Sequence, residues 1–377
     1  MPKQNEKRGW LDVKKAGIYI HVPFCIKKCG YCDFYSVVGD DMLMDTYTAA
    51  VISTLNEYKG RVIADTVYFG GGTPSVLGGR RISLILDAAR ELITPDAEIT
   101  VEVNPGDNLT EFFSTCASSG VNRVSMGLQS ANDNELKMLT RRHSSADVIE
   151  SVDLARRYGI DNISLDLMLA TEGQSKESIA RSIDFCAESG AKHVSAYMLK
   201  IEKNTPFYDN KDIMNLPDED MAAEMYLFAC DRLEQRGYKQ YEISNFSKPG
   251  YQSRHNLKYW NMEEYVGIGP SAHSFFDGKR FFYERDIHAF IKGNKPIFDG
   301  NGGDFDEYAM LRLRLCDGIS RSQCEALFAD GKVRFEKMLL AAKKYEKAGL
   351  CNADEERIWL NKNGFLLSNM IISNLIY

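Results

Sequence analysis

The sequence predicts an α/β protein with a parallel sheet and helices outside it, followed by a small helical end domain. Two observations predict this class. Six short apolar segments alternate with segments of helical spacing over roughly the first 200 residues, and each apolar segment ends in a polar or glycine-rich turn. Such units form either a barrel or an open doubly wound sheet, and the pattern alone does not choose between them. In both, ligands gather at the carboxyl ends of the strands.

The elements of the first half are predicted from residue type and spacing. β-Branched and aromatic residues such as Ile18, Tyr19, Ile20 and Val22 predict the first strand. Apolar residues that recur every three or four positions predict the helices. The predicted strands are 16–22, 65–69, 98–103, 123–127, 162–169 and 193–199, and the predicted helices between them are 42–58, 80–92, 109–118, 146–158 and 175–189.

The second half is less regular. A long helix is predicted at 217–237, an irregular aromatic segment at 240–260, a glycine-rich turn at 267–270 and a linker at 294–304. Three helices and a short hairpin then predict a winged-helix-like end domain. Its predicted helices are 308–315, 320–328 and 333–348, and its predicted hairpin strands are 358–360 and 365–367. The predicted domains are an N-terminal tail at 1–15, a barrel with its extension at 16–293, and the end domain at 294–377.

Composition narrows the class of protein. The 377 residues carry a net charge of −7, which argues against a nucleic-acid-binding surface, because such surfaces are usually basic. No apolar run is long enough to cross a bilayer, and the N-terminus lacks the apolar stretch of a signal peptide. We therefore expect a cytoplasmic protein in which the nine cysteines form no disulfide framework.

Three of these cysteines stand out by their spacing. Cys25, Cys29 and Cys32 form a C-x3-C-x2-C pattern directly after the first predicted strand. With nine cysteines in 377 positions, chance gives this spacing in about half a percent of sequences. Thiolates select iron–sulfur clusters or zinc, and zinc would need a fourth ligand nearby. The triad therefore predicts a [4Fe–4S] cluster in which one iron stays open for a chelating ligand.

The triad, its place after the first strand and its neighbour Tyr31 resemble the radical-SAM enzymes. The resemblance implies a partial (β/α)6 barrel and a cluster whose free iron binds S-adenosylmethionine (SAM). It also implies one-electron reduction of SAM by an electron donor such as flavodoxin or ferredoxin.

A set of residues at or near the strand ends matches the SAM-binding positions of this superfamily. Gly70-Gly71-Gly72-Thr73-Pro74 resembles the motif for the amino group of SAM, although a glycine run alone is as often a plain turn. Ribose hydroxyls would satisfy the carboxylate of Asp166, and Arg141 would pair with the SAM carboxylate. The expected SAM-binding residues are Tyr19, Tyr31, Gly71, Gly72, Thr73, Glu102, Gln129, Arg141 and Asp166.

The similarity extends from residue 16 to the C-terminus in one group, the oxygen-independent coproporphyrinogen III oxidases with their HemW-type haem-chaperone relatives. The oxidases carry a fourth cysteine where this chain has Phe34, and a long N-terminal arm where it has about fifteen residues. His255-Asn256-Leu257-Lys258-Tyr259-Trp260 matches the H-N-x-x-Y-W motif of the chaperones. One departure is the turn at 170–175, which lacks the proline usual in this group.

This resemblance implies binding of haem and its delivery to an acceptor protein, with a regulatory role for the cluster and SAM. The alternative is oxidative decarboxylation of coproporphyrinogen III, which would make the chain an enzyme, and a third is radical chemistry on an unrelated substrate, RNA included. His255, Tyr259 and Trp260 are the candidate haem residues. A hydrogen-bonded core histidine among aromatics remains an equal interpretation. His21 and His273 are lesser candidates. Weak association with membranes is expected only through an acceptor, and no oligomeric state is predicted.

Overall fold

The computed structural model describes residues 13–106 and 108–377, and its first half alternates strands with helices as expected. Residues 1–12 of the predicted tail lie outside the described residues, whereas Lys14 and Lys15 belong to the first strand. In chain order the elements are β1 (Lys14–Val22), α1 (Asp41–Asn56), β2 (Val62–Gly71), α2 (Pro74–Leu77), α3 (Gly79–Ala89), β3 (Ile93–Val103), α4 (Thr110–Ser118), β4 (Arg123–Gln129), α5 (Asp133–Met138), α6 (Ser145–Arg157), β5 (Asn162–Leu169), α7 (Lys176–Glu188) and β6 (His193–Met198).

The strand order decides between the two architectures that the sequence left open. β1 to β6 lie side by side in chain order, and every neighbouring pair is parallel. In a doubly wound sheet the spatial order of the strands reverses at a switch point. The order of β1 to β6 has no such reversal. β1 and β6 pair with other strands rather than with each other. The prediction of a partial (β/α)6 barrel is therefore confirmed.

The parallel register sets the inner face of the barrel. Tyr19 lies opposite Tyr68, and His21 lies opposite Gly70. Ile18 and Ile20, which alternate with Tyr19 and His21 along β1, are fully buried in the apolar core. Because side chains alternate along a strand, polar residues at every second position share the interior of the barrel.

The strands and helices after β6 extend this sheet at both edges. β8 pairs antiparallel with β6, β9 pairs parallel with β1, and β10 to β12 continue antiparallel from there. The segment predicted as irregular thus contains two strands and a helix, and the predicted linker at 294–304 contains a strand of the large sheet. The elements are α8 (Pro206–Asn210), α9 (Glu219–Gln235), β7 (Lys239–Gln240), β8 (Asn245–Ser247), α10 (Arg254–Trp260), β9 (Tyr265–Ile268), β10 (His273–Phe276), β11 (Lys279–Phe282), α11 (Ile287–Ile291) and β12 (Ile297–Asn301).

The C-terminal part has helices and a separate small sheet in the order β13-β15-β14. This agrees with the predicted winged-helix-like arrangement, but the predicted hairpin is wrong. Residues 365–367 are not a strand, because the side chain of Asn361 accepts from the Gly364 amide and begins a helix there. The elements are α12 (Phe305–Arg312), β13 (Ile319–Ser320), α13 (Arg321–Leu327), α14 (Gly331–Lys347), β14 (Cys351–Ala353), β15 (Arg357–Leu360), α15 (Lys362–Leu366) and α16 (Ser368–Ile376).

The helices begin at side-chain caps that the sequence supplies. Ser144 and Asp147 form a reciprocal capping box at α6, and Ser175 caps α7 in the same way. Asp218 caps α9 by accepting from the Met221 amide. Within the described part of the chain, no helix has the length and apolar character needed to cross a membrane.

Candidate functional site

The cysteine triad lies on a loop that joins β1 to α1 at the carboxyl end of the barrel. This loop is held by its own backbone, since the Cys25 amide donates to the Val37 carbonyl over 3.0 Å. It is also tied to more distant segments. The Gly30 amide donates to Thr140 Oγ1 over 2.8 Å, and the Gly30 carbonyl accepts from the Phe207 amide over 3.0 Å. The loop is therefore fixed by the fold without being part of a helix or strand.

The exposure of the thiols separates the triad from most other cysteines. Cys25, Cys29 and Cys32 are half-buried and line one cavity. No set of three histidine, cysteine or acidic side chains among residues 13–106 and 108–377 is spaced to hold a single metal ion. A cubane cluster does not need that spacing, because each thiolate binds a different iron. Of the remaining six cysteines, five are buried, and burial raises the thiol pKa to about 12 for Cys116, Cys230 and Cys324.

The glycine run after β2 brings backbone to the edge of this cavity. Gly71 has a φ of +108°, and a Cβ there would lie 2.4 Å from the His21 ring. A Cβ on Gly72 would lie 2.8 Å from the carbonyl oxygens of Val22 and Phe24. Thr73 follows, and its hydroxyl lies 3.4 Å from Cys25 Sγ. Glycine is thus required sterically, because the second strand end packs directly against the cysteine loop.

Two carboxylates lie on neighbouring inner positions of the barrel wall. Glu102 accepts from the Tyr68 hydroxyl over 2.8 Å and from the Gly71 amide over 3.2 Å. Burial raises its pKa to about 7. Burial also raises the pKa of Asp166, which accepts from the Ser125 hydroxyl over 3.3 Å. Both carboxylates retain lone pairs that face the cavity, and these are suited to ligand hydroxyl groups.

Arg141 connects the cysteine loop with two strand ends. Its Nη1 donates to Cys29 Sγ over 3.4 Å, and its Nη2 donates to Asn104 Oδ1 and to the Gly127 carbonyl. A Cβ on Gly127 would lie 2.8 Å from Arg141 Nη2, so the glycine makes room for this contact. Gln129 beside it has a φ of +66°, a left-handed conformation that is unusual for a residue with a side chain.

These features line one cavity of about 560 Å³, a volume typical of small-molecule sites. The structure brings together most residues expected from the sequence, although their role in SAM binding stays a prediction. The expected residues that line the cavity are Cys25, Cys29, Cys32, Tyr31, Gly71, Gly72, Thr73, Glu102, Gln129, Arg141 and Asp166.

Four expected residues do not line this cavity. Tyr19 lies deeper in the barrel, with its hydroxyl 3.1 Å from His21 Nδ1. His255 is fully buried, with Nδ1 2.8 Å from Thr66 Oγ1 and Nε2 2.8 Å from the Tyr259 hydroxyl. Tyr259 packs on His255, and Trp260 ends the same helix. In this arrangement neither ring nitrogen of His255 is free for iron, so the structure places it as a hydrogen-bonded core histidine.

The sequence prediction missed several residues of the site. Asn104 donates to Thr73 Oγ1 over 2.9 Å and accepts from Arg141, so it joins two predicted elements. The position of Asn104 directly after the third strand was the signal in the sequence that could have identified it as a site residue. Tyr197 on β6 is 41% exposed although it lies deep in the barrel, because it faces the cavity. Tyr68 and Ser125 were also missed, since only the barrel geometry pairs them with the two carboxylates.

Comparison with known proteins gives matches over nearly the whole chain. The profile described as "Radical SAM superfamily" matches residues 19–186, and that described as "HemN C-terminal domain" matches residues 306–367. A protein named "Heme chaperone HemW" from Lactococcus lactis is 33% identical, over 96% of this chain and 98% of the relative. The protein of that name from Escherichia coli K12 is 38% identical, over 82% and 85%.

Among solved structures, coproporphyrinogen III oxidase (HemN) from Escherichia coli, described as a radical SAM enzyme, superposes with a TM-score of 0.81. The match covers 97% of this chain and 90% of that one, at 22% sequence identity. At this identity the likeness shows a shared fold and no more.

Proposed function

The chain belongs to the HemW family of the radical-SAM superfamily, and from this we propose that it binds haem and delivers it to an acceptor protein. A [4Fe–4S] cluster and SAM occupy the barrel in this proposal. Similarity over nearly the full chain to proteins named haem chaperones is the observation that carries it. The cavity at the carboxyl end of the barrel, which the three cysteines line, supports this placement of the cofactors.

The cysteine loop fits a cluster by its chemistry. Cys25, Cys29 and Cys32 are accessible from one cavity, and two of the three thiols already have a hydrogen-bonding neighbour. Thr73 Oγ1 lies beside Cys25, and Arg141 Nη1 donates to Cys29. Hydrogen bonds to the sulfurs are one of the factors that set the potential of such clusters. When bound, the cluster supplies one electron to SAM.

The remaining cavity residues provide partners for the amino-acid group of SAM and for its ribose. Arg141 is positioned to pair with its carboxylate, and the carbonyls of the glycine run with Thr73 accept from its ammonium group. Glu102 and Asp166 accept from the ribose hydroxyls, which would repay part of the cost of burying two carboxylates. Gln129 and Tyr31 complete the lining.

Haem, in this proposal, binds at the outer rim of the cavity rather than at His255. Lys27 and Lys28 are exposed on the cysteine loop, and neither makes an ion pair with a described acidic residue. They are suited to the two propionates of haem. Phe34, which is 67% exposed, provides aromatic surface on the lining of the same cavity. The thioether of Met198, also on the cavity wall, is an available iron ligand.

Haem titration of anaerobically reconstituted protein tests the proposal. We expect a Soret band that saturates near one haem per chain. Lys27→Glu with Lys28→Glu should weaken haem affinity roughly tenfold through charge repulsion and leave iron content unchanged. The matched control is Lys332→Glu with Lys337→Glu on α14, where both lysines are exposed far along the chain from the loop.

Two outcomes would overturn this function. The first is the absence of saturable haem binding. The second is conversion of coproporphyrinogen III to protoporphyrinogen with consumption of SAM, which would make the chain an oxidase.

The His255→Phe variant discriminates between haem binding at the outer rim of the cavity and haem binding at His255. If the Soret spectrum survives this change, the rim is supported, and if the spectrum is lost, His255 is the ligand.

A further inference from the structure

Helix α10, which carries the H-N-x-x-Y-W residues, lies at the end of the barrel opposite the cavity. The Glu98 carboxylate accepts from the backbone amides of Arg254 and His255, over 3.3 and 3.1 Å. The Lys258 ammonium lies 2.8 Å from Asp65 Oδ1. Asp65 lies in the first half of β2, and Glu98 lies in the middle of β3, opposite Thr66. Helix α10 therefore closes the barrel on the amino side of the residues that face the cavity.

The His255 side chain points from α10 into the barrel. Its ring is held by Thr66 on one side and Tyr259 on the other. It stacks on the Tyr68 ring, with centroids 5.3 Å apart and an interplanar angle of 29°. Tyr68 follows Thr66 by two residues on β2, so both side chains are on the inner face of the strand.

The Tyr68 side chain in turn contacts Glu102, which lies nearer the carboxyl end of the barrel. Its hydroxyl donates to Glu102 Oε1 over 2.8 Å, while the Gly71 amide donates to the other oxygen of the same carboxylate. A Cβ at Gly70 would lie 2.8 Å from the Tyr68 ring and 2.9 Å from Glu102 Oε1, so the three groups are closely packed. A continuous series of contacts therefore runs from α10 through His255 and Tyr68 to the cavity wall.

We propose that Tyr68, and behind it His255, are positioning residues that hold the Glu102 carboxylate in the orientation that accepts the SAM ribose. This inference rests on the SAM role proposed above for Glu102. It gives the H-N-x-x-Y-W helix a function at the SAM site, which lies at the opposite end of the barrel.

The groups around Glu102 affect its ionisation, so the positioning role can be measured through the pH dependence of SAM affinity. Asp166 disfavours its ionised form, and Arg123 and the Tyr68 hydrogen bond favour it. Two further phenols, Tyr19 and Tyr259, interact with its charge from β1 and α10. Burial raises the pKa of each of the three phenols above its ordinary value of 10.0, so all three stay neutral near pH 7.

The ionised carboxylate is the better acceptor for ribose hydroxyls, so SAM affinity should rise with pH through the Glu102 pKa of about 7. Loss of the phenol hydroxyl removes a hydrogen bond that favours the ionised form. The Tyr68→Phe variant should therefore bind SAM roughly tenfold more weakly at pH 7 and show its affinity midpoint at a higher pH.

The test is SAM binding to the cluster-loaded protein, measured by calorimetry between pH 6 and pH 9. The matched control is Tyr241→Phe, which removes a phenol that bonds to His193 Nε2 at 2.8 Å and does not contact Glu102. This control should leave the midpoint unchanged. In a Glu102→Gln background, Tyr68→Phe should have little further effect, because the group that it orients no longer titrates.

The outcomes separate the two proposals. If Glu102→Gln leaves SAM affinity intact, the proposed SAM site fails. If Glu102→Gln weakens binding while Tyr68→Phe shifts neither affinity nor midpoint, the positioning role is overturned and the SAM site stands. Should Tyr68→Phe fail to fold, His255→Gln replaces it, because loss of the stacked ring should weaken SAM binding in the same direction, and unchanged binding would contradict the role.

Discussion

Arg141 Nη1 donates to Cys29 Sγ over 3.4 Å, and this contact joins the residue expected to bind the SAM carboxylate to one of the expected cluster thiolates. The same guanidinium is held by Asn104 and by the Gly127 carbonyl, so its position is fixed by three elements. We therefore expect this single side chain to influence both the cluster and SAM.

We expect Arg141→Gln to lower SAM affinity at least tenfold, because a charge-assisted pair with the SAM carboxylate is lost. The cluster potential should also become more negative, since a donor to the thiolate sulfur stabilises the reduced state. Iron content, SAM binding and an anaerobic redox titration measure these effects. Arg142→Gln, at the exposed neighbouring position, is the control. An unchanged potential would contradict the hydrogen bond to Cys29.

Gly30 is a position of the cysteine loop that has no room for a side chain. A Cβ there would lie 2.5 Å from Phe207 Cε1. We expect Gly30→Ala to destabilise the protein by about 1–3 kcal/mol through overpacking and to reduce the amount of cluster retained. Urea unfolding and iron analysis measure this. Addition of Phe207→Leu should restore part of both, and failure of this rescue would show that Phe207 is not the obstacle.

Ala170 occupies the turn in which the sequence departs from its family. It has a φ of +56°, a conformation that costs an alanine roughly 1–2 kcal/mol. Ala170→Gly should therefore stabilise the protein by about 0.5 kcal/mol after the entropy of glycine is counted. Ala180→Gly inside α7 is the opposite control, with an expected loss of about 1 kcal/mol. Destabilisation by Ala170→Gly would argue against the strained turn.

His255 makes a prediction for acid stability. Burial lowers its pKa from 6.5 to about 3. Between these values the unfolded chain binds a proton that the folded chain does not, so stability is lost as pH falls from 6.5 towards 3. One such group accounts for about 1.4 kcal/mol per pH unit.

The His255→Phe variant lacks this proton uptake. It should be about 2 kcal/mol less stable than the parent at pH 8, because two buried hydrogen bonds are lost. This difference should narrow towards pH 5, where the parent has lost its own advantage. Urea unfolding at both pH values gives the comparison, and His21 and His143 contribute equally in both proteins. A constant difference would mean that His255 is not buried and neutral.

Sequence and structure agree best where the chemistry is local. The C-x3-C-x2-C spacing and the glycine run after the second strand could be recognised without coordinates, because each is a short contiguous signal. The strand–helix alternation was equally readable. Asn104, Tyr68 and Tyr197 were not, since each acts on residues that are distant in the chain.

The sequence by itself determined the family, the alternating elements and the cysteine loop, because residue type and spacing dictate local conformation and ligand chemistry. Only the tertiary structure decided that the six strands lie in chain order without reversal, since this depends on which strand each helix packs back upon. It also placed His255 inside the barrel with both ring nitrogens hydrogen-bonded, because Thr66 and Tyr259 reach it only when α10 closes the amino end of the sheet.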